Sequence, residues 1–285
     1  MGILRLSNNW LISRLVYVFL EFTRNVPILL HILFVHSIFL YVFPVPKRAI
    51  SISDTFFFSN RGILIPSPVF GDGFGYVWIV LLIAIAIVAV FVYWAHKIQD
   101  ETGKIYPVFK ISLAILICLP LFTFFVSGAH LSWEIPVLKG FNFKGGTSIK
   151  PEYIALTFAL SYYTSCFIAE IVRGGILAIS HGQTEAADAL GLRPNRTLQL
   201  VVIPQALRVI IPPLASQYLN LTKNSSLAIA IGYMDVVATI GGISLMQTGK
   251  EMETMIIVLL TYLFFSLIIS AFMNWFNRRM ALVER

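Results

Sequence analysis

Long apolar runs, separated by shorter polar stretches, dominate the chain. Several of these runs approach or exceed the roughly 20 residues needed to cross the hydrocarbon of a bilayer. They lie near 26–43, 76–94, 111–126, 153–173, 198–221 and 254–275. The pattern predicts an all-α, polytopic transmembrane helix bundle of about six spans. We expect one transmembrane domain over 26–275, an amphipathic lead-in over 1–25 and a basic cytoplasmic tail over 276–285.

One polar stretch, residues 180–204, lies between two of the apolar runs. It predicts a short amphipathic helix over Glu185–Leu190, with Thr184 as its N-terminal cap. Gly191 suits the left-handed position that ends a helix, and Pro194 suits the first turn of the next one. Basic residues are more numerous on the side of the bundle that holds this stretch, so we expect a cytoplasmic loop over 174–200.

Composition agrees with a membrane location. Of the 285 residues, 58% are hydrophobic and 12% are charged, whereas soluble domains carry about 25% charged residues. The net charge of +7 comes from basic residues scattered between the apolar runs, which is typical of cytoplasmic loops and of contact with membrane lipid. Nucleic acid is not an expected partner, since it would need a single basic patch. The histidines and the two cysteines have no spacing that predicts a metal site.

The polar stretch also carries a motif. Glu185, Ala186 and Ala187 are followed after three residues by Gly191, and after nine more by an apolar sequence that ends at Pro204. This resembles the EAA signature loop of the permease subunits of ABC importers. The flanking sequences resemble the polar amino-acid permeases. The inserts GILIPSPVFGDGFG and LKGFNFKGG are similar to the first permease subunit of general L-amino-acid importers of Gram-negative bacteria.

The resemblance implies an ABC importer permease fold in the bacterial inner membrane, and a function in moving L-amino acids into the cytoplasm. It implies three protein partners: an ABC ATPase, a second permease in a heterodimer, and a periplasmic amino-acid-binding protein. The chain would be no enzyme and would bind no cofactor, because ATP and Mg²⁺ would lie on the ATPase. The absence of a G-x-x-x-x-G-K-[ST] loop from the sequence agrees with this division. The expected ATPase-coupling residues are Glu185, Ala186, Ala187, Gly191 and Pro204.

The candidate transport pathway lies on the fifth apolar run. Ser216, Asn220, Lys223 and Asn224 have spacings that place them on one helical face, where a cation and amides could bind the carboxylate of an amino acid. Hydrogen bonding between helices is an equally good explanation of these residues. Tyr162 and Thr164, on the fourth run, are candidates for the facing wall.

Two further expectations concern the ends of the chain and of the fourth run. Glu170 and Arg173 are three residues apart, so they are expected to pair, either as a structural contact or as a gate or bracket for the cytoplasmic loop. The family usually carries one or more apolar spans before the position of Arg5, so the chain is expected to be short at its N-terminus. Alternatives to an ATP-driven permease are an ion-coupled secondary amino-acid transporter, a membrane-embedded enzyme and a truncated, non-functional permease.

Overall fold

The structure, a computed structural model, describes residues 2, 4–7 and 9–280. Its helices are α1 (Trp10–Asn25), α2 (Ile28–Tyr41), α3 (Phe74–Thr102), α4 (Val108–Val126), α5 (Pro151–Leu177), α6 (His181–Ala189), α7 (Pro194–Thr197), α8 (Ile203–Asn224), α9 (Leu245–Thr248) and α10 (Glu251–Met280). Its strands are β1 (Ile50–Ile52), β2 (Phe56–Ser59), β3 (Gly62–Ile65), β4 (Ser67–Phe70), β5 (Leu131–Glu134), β6 (Val137–Lys139), β7 (Asn142–Lys144) and β8 (Thr147–Ile149). The part of the predicted tail after residue 280 lies outside the described residues.

Among the described residues, five helical segments are long and apolar enough to cross a membrane, or six if α1 and α2 together form one bent span. The prediction of a helical bundle with about six spans is therefore confirmed. The five are α3, α4, α5, α10 and the continuous run Pro194–Ile231. By itself α2 is about 21 Å long at 1.5 Å per residue, which is shorter than the roughly 30 Å of hydrocarbon in a bilayer.

A sharp bend separates α1 from α2. The two axes meet at 101°, and the break falls at Val26 and Pro27. Proline disfavours the helical conformation of the residue before it, and Val26 accordingly takes extended angles of φ −92° and ψ 131°. The predicted first span and its amphipathic lead-in are therefore two arms of one bent element.

The described residues form two compact units. The first contains the described residues within 1–45, 59–62 and 149–280, and α5 lies at its centre, packed against α1, α2 and α8. Its main buried cluster joins α2 and α5 to the 3₁₀ segment Ser225–Ile231. The cluster consists of Ile32, Ala155, Leu156, Ala159, Leu160, Ala228 and Ile231. Its alanines allow the helices to approach closely, as small residues do in membrane bundles.

The second unit contains residues 46–58 and 63–148. Its two long helices, α3 and α4, pack against each other. The stretches 47–74 and 128–151 contain short strands in the orders β1-β2-β3-β8, β4-β5 and β6-β7. The antiparallel pairing of β1 with β2 sets Ile50 opposite Phe58 and Ile52 opposite Phe56, a branched–aromatic pairing that stabilises sheets.

Helical irregularities in the first unit have identifiable causes. The turn Leu198–Val202 is π-helical. Pro204 follows it and has no N–H to donate to the carbonyl of Leu200, and its ring clashes with a regular turn, so the backbone widens there. After α8, the chain passes through the 3₁₀ segment Ser225–Ile231 and the π-helical segment Val237–Ser244.

The stretch between those two segments contacts α10 partway along its length. The hydroxyl of Tyr262 donates to Asp235 Oδ2 at 3.3 Å, and Tyr262 is about 16 Å along α10 from Glu251. Backbone of this irregular kind is tolerated at membrane depth only where protein or water surrounds it.

Candidate functional site

The polar stretch after α5 folds as two short helices, but the first begins earlier than predicted. Ser180 takes the extended N-cap conformation and α6 starts at His181, so the prediction that Thr184 caps this helix is wrong. His181 Nδ1 lies 3.0 Å from Glu185 Oε1, one turn further on. Such i,i+4 pairs favour helix formation. This explains why α6 includes residues 181–184, which lie before the predicted helix.

The end of α6 follows the prediction. Gly191 has φ +74°, the left-handed conformation that glycine adopts without strain. Its N–H donates to the carbonyl of Asp188 at 2.9 Å, and the N–H of Leu192 donates to that of Ala187 at 3.1 Å. Pro194 then begins α7. The turn between the two helices is thus closed by hydrogen bonds and has a defined shape.

The two alanines of the motif face different surroundings. Ala187 is 3% exposed, whereas Glu185 and Ala186 are exposed and Leu190 is 81% exposed. Ala187 therefore packs within its own chain in this conformation. The surface that α6 and its C-cap leave open to a partner includes Glu185, Ala186 and Leu190.

Side-chain and helix contacts connect α6 to the start of α8. Gln205 Nε2 donates to Gln183 Oε1 at 3.0 Å, and α6 also contacts α7 and the π-helical turn Leu198–Val202. The helix is therefore held between two spans. A push on α6 would be transmitted to the base of α8, where Pro204 lies.

One face of α8 carries the predicted pathway residues. Ala206, Ile210 and Ile211 are buried, and they face the rest of the unit. Ser216, Asn220 and Lys223 are exposed, and they continue a stripe that begins with the exposed Val209 and Pro213 at alternating spacings of four and three. Asn224, one residue further on, is half-buried. The three exposed polar residues therefore lie on one face of α8, and their role in transport stays a prediction.

Tyr162 and Thr164 are placed differently. The hydroxyl of Tyr162 lies 2.6 Å from Thr23 Oγ1, and its ring contacts those of Phe19 and His31. These contacts are with α1 and α2, and Thr164 is only 6% exposed. The structure does not group Tyr162 with the polar stripe of α8, and the role of both residues as a pathway wall stays a prediction.

The predicted pair near the end of α5 is present. Arg173 donates to Glu170 Oε1 through Nε at 3.0 Å and through Nη2 at 2.5 Å. Arg5 also pairs with Glu170, through the other carboxylate oxygen. This third member lies 165 positions away in the sequence, so helical spacing gave no signal for it. Glu170 therefore ties the N-terminal segment to α5.

Two groups were missed by the sequence reasoning. Asp235 accepts a hydrogen bond from the N–H of Ala238 at 2.8 Å as well as from Tyr262; a lone acid in an apolar stretch is a signal that identifies such sites. Arg208, on α8, has Nε and Nη2 buried without a hydrogen-bond partner among the described residues. The sequence signal for Arg208 is of the same kind, because Arg208 is a cation within an apolar run.

The fold and the loop define a polytopic helical permease that exposes a rigid polar helix between two spans. Residues 76–282 match the family described as the binding-protein-dependent transport system inner membrane component. That range covers more than half of the chain, so the chain belongs to this family. It is an inner-membrane, multi-pass permease component of an ABC importer, whose partners include an ATPase and a binding protein. It is not an enzyme, since ATP hydrolysis belongs to the separate ATPase subunit.

Relatives are similar along almost the entire chain. The General L-amino acid transport system permease protein AapQ of Rhizobium johnstonii is 50% identical over 284 residues, with 100% of this chain and 71% of that protein covered. The Glutamate/glutamine/aspartate/asparagine transport system permease protein BztB of Rhodobacter capsulatus is 45% identical over 314 residues, covering 99% and 73%. A second protein with the same transport-system name and organism, BztC, is 30% identical over 130 residues, with 45% of this chain and 30% of that protein covered.

Proposed function

We propose that this chain is a permease subunit that moves L-amino acids from a periplasmic binding protein into the cytoplasm. The observation that carries the proposal is the identity of 45–50%, along essentially the whole chain, to AapQ and BztB, whose names state amino-acid transport. ATP and Mg²⁺ are bound by the partner ATPase. The chain contributes the path and the mechanical connection to that ATPase.

The exposed polar stripe of α8 is the proposed path. Ser216, Asn220 and Lys223 are exposed in the single chain, although α8 belongs to a run that is apolar enough to span a membrane. A lysine facing hydrocarbon costs about 2.5–3.5 kcal/mol at the middle of a span. These side chains therefore favour water or another protein as their surroundings. The ammonium group of Lys223 and the neighbouring amides would bind the carboxylate of a passing amino acid.

A second permease subunit would line the other side of the route along the polar stripe of α8. Rhodobacter capsulatus has two permease proteins named for one transport system, BztB and BztC, and both are similar to this chain. We infer that this chain likewise pairs with a different permease, so that the polar stripe of α8 faces an aqueous route between the two subunits.

The exposed face of α6 is the proposed contact with the ATPase. Glu185 supplies a charge, Ala186 permits close approach and Leu190 supplies an apolar side chain. Because α6 is held to the base of α8 through Gln183 and Gln205, closure of the ATPases would displace both helices together. ATP would then favour the outward-open state through a difference in binding free energy between the two states.

Proteoliposomes that contain this chain, the second permease and the ATPase test the proposal. We expect uptake of radiolabelled L-amino acids that requires ATP on the ATPase side and the binding protein on the other. Lys223→Met should lower the rate of uptake while the ATPase stays bound, and Lys223→Arg, which keeps the charge, should retain more of it. Uptake that proceeds without the ATPase, driven by an imposed ion gradient, would contradict the proposal and favour a secondary transporter.

A further inference from the structure

Three arginines converge on a polar pocket beside the amphipathic helix α1. The pocket has a volume of about 310 Å³, and it is lined by Arg5, Trp10, Ser13, Arg14, Tyr17 and Arg173. The hydroxyl of Ser13 donates to the carbonyl of Arg5 at 2.9 Å, which fixes the turn Leu4–Leu6 against α1. The arginines come from three different elements, so folding assembles this group of charges.

The pocket has an excess of positive charge. Glu170 pairs with both Arg5 and Arg173, and it can neutralise only one of them. Arg14 makes no ion pair within the described part of the chain. The guanidinium groups of Arg5 and Arg14 lie 4.7 and 5.3 Å from the centre of the same ring, that of Tyr17. Cations that line one pocket repel each other, and a bound anion would relieve that repulsion.

An apolar groove along the surface of α1 adjoins this pocket. It has a volume of about 800 Å³ and shares Trp10 and Arg14 with the pocket, and it continues along α1 past Leu15 and Phe19 to Phe22. From Phe22 a second apolar groove of about 710 Å³ follows the inside of the α1–α2 bend. A cationic pocket joined to an apolar track fits a ligand with an anionic head and a hydrocarbon tail.

The depth of the pocket agrees with such a ligand. Arg173 lies four residues before the end of α5 at Leu177, about 6 Å along the helix axis, which places it near the edge of the span. Trp10 is 75% exposed, and tryptophan is enriched where hydrocarbon meets the headgroups. Basic pockets between spans on the cytoplasmic side are typical binding sites of anionic lipid headgroups.

We propose that this pocket binds the phosphate of an anionic phospholipid, with an acyl chain lying in the groove along α1. The phosphate accepts hydrogen bonds from Arg5, Arg14 and Arg173, and the glycerol backbone lies beside Trp10. The assignment of the site to the cytoplasmic leaflet rests on the proposed function, which puts α6 on that side. The binding itself does not depend on it.

Native mass spectrometry of the intact transporter in micelles tests this site with phosphatidylglycerol as the probe. One arginine near a lipid surface contributes about 1 kcal/mol, which corresponds to about five-fold in affinity. Arg14→Gln should weaken binding of phosphatidylglycerol by that factor, and Arg14→Lys should largely restore it. Arg279→Gln is the matched control, because Arg279, like Arg14, lies over an aromatic ring, that of Trp275 at 4.9 Å, but does not line this pocket.

Four outcomes would overturn the proposal. Equal affinity for phosphatidylglycerol and phosphatidylcholine would show that the negative charge is not recognised. Equal losses in Arg14→Gln and Arg279→Gln would show a general charge effect. Displacement of the lipid by inorganic phosphate at the same concentration would identify a site for free phosphate. A protein segment of the second permease seated in the groove, seen by electron cryomicroscopy of the complex, would identify an interface between subunits.

Discussion

Gly175 packs directly against α8, and its replacement by alanine tests how α5 and α8 are joined. A Cβ placed at Gly175 would lie 2.3 Å from Cγ1 and 2.9 Å from Cδ1 of Ile210, a residue that is itself buried. The adjacent Gly174 offers a matched control, because a Cβ there would meet nothing within 4 Å. Both glycines lie in the last turns of α5, just before the polar stretch that contains α6.

The size of the effect follows from two opposing terms. Each of the two substitutions, Gly174→Ala and Gly175→Ala, raises the free energy of unfolding by about 0.5–1 kcal/mol, because alanine is more stable than glycine in a helix. Only in Gly175→Ala does the new Cβ collide with a neighbouring side chain, that of Ile210. Overpacking of this kind costs about 1–3 kcal/mol. Gly174→Ala should therefore stabilise the protein slightly. Gly175→Ala should have a free energy of unfolding about 1–3 kcal/mol below that of Gly174→Ala.

The free energy of unfolding in mixed micelles, measured by titration with denaturing detergent, provides the comparison. Ile210→Ala removes both atoms that obstruct the new Cβ, and the next neighbour, the carbonyl oxygen of Ala206, is at an ordinary 3.4 Å. In the Ile210→Ala background, Gly174→Ala and Gly175→Ala should change the free energy of unfolding equally. The double-mutant cycle of Gly175→Ala with Ile210→Ala should therefore show a coupling of about 1–3 kcal/mol. Equal effects of the two substitutions in the wild-type background would refute the packing described for α5 and α8.

Three further predictions concern the loop, the path and the charge cluster. Gly191→Val should weaken retention of the ATPase and uptake more than Gly191→Asn, because the left-handed conformation costs a residue with a Cβ about 1–2 kcal/mol and asparagine tolerates it best; equal retention would contradict this. Lys223→Met should reduce uptake without releasing the ATPase, and normal uptake would remove Lys223 from the path. Glu170→Gln should lower the free energy of unfolding by about 1–3 kcal/mol, because two arginines then face each other. The control Glu21→Gln breaks a more exposed pair with Arg24 at 3.4 Å and should lower the free energy of unfolding by less than about 1 kcal/mol. Equal losses in Glu170→Gln and Glu21→Gln would contradict the stabilising role of Glu170.

Features determined by local sequence were predictable. The length of the apolar runs predicts the spans, except that the first run forms a helix too short to span by itself. The backbone preferences of Gly191 and Pro194 predict the turn after α6. The common face of Ser216, Asn220 and Lys223 follows from helical spacing alone. In each case the physical cause acts over a few neighbouring residues, so one sequence contains the whole signal.

Features determined by long-range packing were not predictable in this way. The burial of Ala187 depends on where α7 and the base of α8 lie, and the motif alone gives no preference between Ala186 and Ala187. Arg5 reaches Glu170 only because the N-terminal turn packs beside α1. The strands in 47–74 and 128–151 are three or four residues long, too short for their alternation to stand out from a polar loop.

The start of α6 illustrates the competition between local signals. Thr184 and the acidic Glu185 suit a helix N-terminus, and that pattern suggested the later start. The pairing of His181 with Glu185 and the extended conformation of Ser180 favour the earlier one. The extra turn places Gln183 within the helix, from which it binds Gln205. The connection between α6 and α8 therefore depends on the earlier start.

Co-purification of the ATPase with variants of this chain tests the central claim, that the exposed face of α6 is the coupling contact. Glu185→Arg reverses the charge at the centre of that face. Glu251→Arg reverses an exposed glutamate at the start of α10, at the opposite end of the spans. The proposal predicts that Glu185→Arg inserts normally but loses the ATPase, while Glu251→Arg retains it. Retention of the ATPase and normal uptake in Glu185→Arg would contradict the claim.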